Sequence, residues 1–111
     1  MSDSTYGTSS EEEASNPPIT GWLTLTRHES VQHMIDTLLD LPPYREFNQS
    51  ELAEMANVSR ASVNRHLSLL QTTGVIEIVE GTSPPRYRFN EDSPVSKAII
   101  QVDGQINRAL S

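Results

Sequence analysis

Between Met55 and Ile76 the chain has no aspartate or glutamate, although 15 of its 111 residues are acidic. The same stretch holds Ser59, Arg60, Ala61, Ser62, Asn64, Arg65 and Ser68. An arginine guanidinium can grip guanine O6 and N7 with two parallel bonds, and an asparagine amide can do the same on adenine N6 and N7. Serine hydroxyls reach phosphate oxygens. A small residue such as Ala61 lets a helix sink close to base edges and can touch a thymine methyl. These types on one short segment point to recognition of an anionic, base-bearing polymer. The plainer alternative is a solvated polar face on an ordinary helix.

A second cluster follows. Arg86 and Arg88 alternate with Tyr87 and Phe89, so a strand there would turn both rings inward and both arginines outward. Such arginines suit phosphate or minor-groove contacts; alternatively they protect an edge strand by charge. Thr82 and Ser83, at the tip of the intervening turn, offer a hydroxyl or an amide to phosphate. Removing Arg86 is then expected to weaken binding to all DNA sequences alike.

Catalytic patterns are missing. The chain has no Gly-rich phosphate loop, no G-x-S-x-G and no H-E-x-x-H. His28, His33 and His66 are the only histidines, and there is no cysteine. Spacing of His28 and His33 is poor for one helix face, which leaves a weak case for a metal despite Asp36 and Asp40 nearby. No enzymatic activity, cofactor or metal is expected.

The elements that must hold these residues are legible from caps and periodicity. Residues 1–18 are Ser, Thr, Glu and Pro with one aromatic, too polar to offset ordering entropy, and are expected to be a disordered acidic tail. Ile19 to Leu25 is β-prone and predicts a strand or extended arm, with Trp22 packed against a neighbouring surface. Thr26 and Glu29 have capping-box spacing. Val31, Met34, Ile35, Leu38 and Leu39 then recur with helical period until Pro42 and Pro43 stop the helix. Tyr44 to Phe47 predicts a short strand.

Asn48 and Glu51 repeat the capping-box spacing before a short helix with Leu52, Ala53, Met55 and Ala56. Asn57 and Val58 make a turn, since asparagine tolerates left-handed dihedrals. Ser59 caps the next helix, whose Val63, Leu67 and Leu70 face the core until Gly74 ends it. Val75 to Glu80 and Arg86 to Phe89 form a hairpin around the turn at residues 81–85. Ser93 and Pro94 open a last helix. There Val95, Ile99, Val102 and Ile106 form an apolar seam, widened by Ile100 and Leu110. Together with Trp22 that seam reads as a dimer interface, or else as packing against the first helix of the same chain.

This order is mainly α with a small β-hairpin: a winged helix-turn-helix with a C-terminal dimerisation helix. Three parts follow: the tail at 1–18, a DNA-binding domain at 19–92 and the terminal helix at 93–111. The formal net charge is −7, with 8 Lys+Arg. Residues 1–40 carry seven acids against one base, whereas residues 41–90 balance five arginines with five glutamates. The acidity therefore lies mostly outside the candidate reading region. Lys97 is the only lysine. No apolar run is long enough to span a membrane and no signal peptide opens the chain, so a cytoplasmic protein is expected.

From Asn48 to Phe89, above all in ELAEMANVSRASVNRHLSLLQTTGVI, the chain resembles winged-helix transcription regulators of the ArsR/MarR-like superfamily, particularly small archaeal ones. Few lysines, many acids and no cysteine are also similar to proteins of salt-loving archaea. The resemblance implies double-stranded DNA as partner and DNA contacts at the positions of Ser59, Arg60, Ser62, Asn64 and Arg65. It also implies a homodimer made by the flanking segments, and more readily a repressor than an activator. Lack of cysteine departs from the metal-sensing members, and an effector ligand stays open. The rival is a winged-helix adaptor that binds protein in a transcription or partition complex.

Overall fold

The computed structural model describes residues 21–111. The expected acidic tail, with Ile19 and Thr20, lies outside the described residues. Five helices and three strands follow: α1 (Trp22–Thr26), α2 (Glu29–Asp40), β1 (Glu46–Phe47), α3 (Gln49–Ala56), α4 (Arg60–Thr72), β2 (Ile76–Val79), β3 (Arg86–Phe89) and α5 (Pro94–Leu110). Mostly helical, with a three-stranded antiparallel sheet and a C-terminal helix, the chain is a winged helix-turn-helix.

The amino-terminal element corrects the sequence expectation. Trp22–Thr26 is helical, not extended. Its β-prone residues are overridden by context, because Leu25 packs against the core. Thr26 does not cap α2 either. Its hydroxyl donates back to the Trp22 carbonyl at 2.9 Å, and the residue at the N-cap of α2 is His28, without a side-chain cap bond. Trp22 is 72% exposed rather than packed.

The core lies where α2, α3 and α4 meet the sheet. Val31, Met34 and Leu38 of α2, Leu52 of α3, Val63 and Leu70 of α4, and Phe47 of β1 are fully buried. Leu67 and Tyr87 join them. Each buried aliphatic or aromatic chain stabilises by roughly 1.5–3 kcal/mol relative to exposure, so the core holds α4 rigidly by its inner face.

The sheet has the order β1-β3-β2, so β3 is central. Glu46 pairs with Arg88 and Phe47 with Tyr87 on one side; Ile76 pairs with Phe89 and Glu77 with Arg88 on the other. Arg88 is therefore flanked on both sides, whereas Arg86 lies beyond the pairing with β1.

Candidate nucleic-acid interface

Helix α4 is built to be held at its base and free at its outer face. The turn before it begins at Asn57, a left-handed residue (φ 56°, ψ 45°) whose amide bonds the carbonyls of Ala53 and Glu54. Val58 donates to Ala53 O at 3.0 Å and packs against the core, locking the corner between α3 and α4. Ser59 Oγ then accepts the Ser62 amide at 3.0 Å and donates to Ser62 Oγ at 3.0 Å. At the far end Gly74 adopts φ +83°, where a side chain is strained, and a Cβ there would sit 3.1 Å from Ser93 Cβ. The end of α4 and the start of α5 are thus in van der Waals contact.

With Val63, His66, Leu67 and Leu70 buried, the outer face shows Arg60, Ala61, Asn64, Arg65 and Ser68, all exposed, and Ser62 half-buried. Every α4 residue singled out from the sequence lies on this face or at its capped tip. Neither the Arg60 nor the Arg65 side chain forms an ion pair or hydrogen bond among the described residues. No carboxylate lies in the first turn of α4, and the helix N-terminus adds its own partial positive charge. The face is a cationic, hydrogen-bonding ridge.

The wing arginines are placed differently. Arg86 Nε lies 3.4 Å from Glu46 Oε1, and its Nη2 lies 3.2 Å from Glu51 Oε1. Arg88 Nε meets Glu77 Oε2 at 2.8 Å. The hydrogen bond to Glu77 raises the Arg88 pKa further, aided by that carboxylate's charge. Both arginines share the outer face of the sheet, as their alternation predicts, but each already has a carboxylate partner. Thr82 is likewise occupied: its hydroxyl donates to Val79 O at 3.0 Å and accepts the Arg86 amide at 2.9 Å, closing the turn.

One contact had no sequence signal. The rings of His28 and His66 lie 4.7 Å apart, tilted by 39°. His66 is buried, and its pKa is lowered from 6.5 chiefly by desolvation, then by His28 and Arg65. Positions 38 residues apart carry no spacing rule that would have joined them. Among the described residues no group of three or more His, Asp or Glu side chains could hold a metal ion.

Away from α4, helices α1, α2 and α5 enclose an open apolar groove of about 640 Å³. Trp22, Leu25, Ile35, Leu39, Val95, Ile99, Val102 and Ile106 line it. Val95 and Ile99 pack against the core of their own chain, while Val102 and Ile106 are 44% and 53% exposed. The seam is thus split between cis packing and an uncovered end. No described helix is long and apolar enough to cross a membrane.

Residues 23–83, more than half the chain, match the Crp-like helix-turn-helix domain. The chain belongs to that family. A Crp-like helix-turn-helix is a DNA-binding unit of transcription regulation, and the match spans α1 to the wing turn, including all of α4. No curated protein and no solved structure matches the chain.

Proposed function

We propose that the protein is a homodimeric, sequence-specific DNA-binding regulator, acting as a repressor by occluding a promoter without chemistry. Two α4 helices enter successive major grooves of a pseudo-palindromic site, with half-sites about one helical turn, roughly 10 bp, apart. Ser59, Arg60, Ala61, Ser62, Asn64, Arg65 and Ser68 supply the contacts, the two arginines and the amide reading bases and the hydroxyls binding phosphate. The observation that carries this reading is the acid-free outer face of α4, with both arginines unpartnered among the described residues.

Dimerisation uses α5 and α1. A two-fold pair needs a patch that complements itself, and Trp22, Val102 and Ile106 at the exposed ends of α1 and α5 line the apolar groove, with Leu110 exposed farther along α5. The division at residues 92 and 93 then separates a reading domain from a coupling helix. An ArsR/MarR-like relationship, suggested by the helix-turn-helix motif, a haloarchaeal source, suggested by the composition, and a cytoplasmic place belong to the same proposal.

The test is fluorescence anisotropy of the protein against its own upstream DNA and against scrambled DNA of equal length, at low and molar KCl. A preference for the upstream duplex that survives high salt is expected, because the net negative charge leaves base contacts to carry most of the affinity. Equal, weak, salt-labile binding to both duplexes would sink sequence-specific reading at that site and favour the adaptor alternative. Sedimentation of Ile106→Asp, expected to be monomeric, tests the dimer.

A further inference from the structure

Arg86 opens β3 directly after the wing turn, where a winged helix could reach the DNA backbone, yet two carboxylates hold its guanidinium. Nη2 donates to Glu51 Oε1 at 3.2 Å and to the Glu46 carbonyl at 3.3 Å, and Nε lies 3.4 Å from Glu46 Oε1. Glu51 is itself pinned. The same Oε1 accepts the Asn48 amide at 2.9 Å, and the Glu51 amide donates to Asn48 Oδ1 at 2.8 Å. A capping box and an inter-element ion pair therefore share one oxygen, so the acid cannot swing away from Arg86 without giving up its bond to the Asn48 amide, the reciprocal half of the box. One cation between two acids leaves a net unit of negative charge beside the wing turn.

We propose that Glu46 and Glu51 are specificity-determining residues that withhold Arg86 from phosphate. The proposal rests on the DNA-binding reading and adds the regulation of its non-specific component. Non-specific affinity grows with the number of phosphates that cations neutralise, through counterion release. An arginine already neutralised by carboxylates contributes little to that count. Drawing it onto DNA would also leave Glu46 and Glu51 facing the backbone unpaired. The wing is thereby kept from gripping DNA of any sequence, and discrimination is left to α4.

The experiment uses the full chain and a mixed-sequence duplex a few helical turns long, with anisotropy followed from about 50 mM to about 200 mM salt. The Glu46→Gln/Glu51→Gln variant is expected to bind several-fold tighter at the low end. Its plot of log affinity against log salt should steepen by about one. Glutamine at 51 can still accept the Asn48 amide, so the cap survives; Glu46→Gln alone, outside the capping box, gives a smaller gain and guards against a folding artefact. Arg86→Ala in the native background is expected to leave the slope unchanged, and in the double variant to abolish the gain.

A gain that persists without Arg86 would mean that fewer acids, and not a freed arginine, tighten binding, and the proposal would fall. It would fall equally if the double variant bound no better than the native chain. Arg65→Ala keeps the two readings apart. If it weakens binding while the glutamate variants change nothing, DNA binding stands and only the withholding is wrong; if no version of the chain holds DNA, both are wrong.

Discussion

Helix α4 and strand β3 each carry two arginines, and they use them in opposite ways. Among the described residues Arg60 and Arg65 pair with no carboxylate, whereas Arg86 and Arg88 are matched to Glu46, Glu51 and Glu77. The cause is position. The outer face of α4 meets no acidic side chain among the described residues. A central strand has one on each side, and the ladder sets Arg88 opposite both Glu46 and Glu77. An arginine count therefore says little about the capacity to bind an anion; what matters is how much of each positive charge the fold has left uncancelled.

That contrast can be broken most severely by unseating α4. Leu70 is fully buried beneath it. Leu70→Ala should cost about 2–5 kcal/mol of stability, read by urea unfolding, and an intact melting profile would show that the helix is held elsewhere. Next comes the outer face itself: Arg65→Ala should lose about 1–3 kcal/mol of DNA binding and relax base preference. Equal losses on specific and random duplexes would move Arg65 to a phosphate role. The matching change in the wing, Arg86→Ala, should be felt in folding rather than in DNA binding, by less than about 1 kcal/mol, since half-exposed ion pairs contribute little.

Smaller effects sharpen the picture. Ser59→Ala removes the acceptor of the Ser62 amide and should lower stability by about 1 kcal/mol; no change in thermal midpoint would show that water replaces the cap. The His66 imidazole binds fewer protons folded than unfolded, because its pKa is lowered from 6.5. Its contribution to stability is complete above that value and is lost as pH falls through the folded-state pKa. Thermal unfolding should thus show a decline on acidification below pH 6.5 that His66→Phe reduces. A decline of the same size in the variant would assign it to other groups.

Much of this architecture was legible because helix ends are local. Asn48 with Glu51, Ser59, and Ser93 with Pro94 each start a helix where the residue types require, and the inward period of Val63, Leu67 and Leu70 set the face that α4 turns outward. The misreadings share a different origin. Trp22–Thr26 is helical despite β-prone residues, and Thr26 turns its hydroxyl to the helix behind it instead of the one ahead. The carboxylates on Arg86 lie 40 and 35 residues back along the chain. Such pairings, like that of His28 with His66, are decided by which elements the core brings together, and periodicity carries no trace of them.

The contact between Gly74 and Ser93 has a geometric consequence. Because α4 ends where α5 begins, so close that a methyl group at Gly74 would press on Ser93 at 3.1 Å, the two helices share a pivot. In a two-fold pair joined through α5, the distance between reading helices is a length laid off from that pivot. The spacing of half-sites on DNA then becomes a measurement made by the protein, with Gly74 as the zero of the ruler.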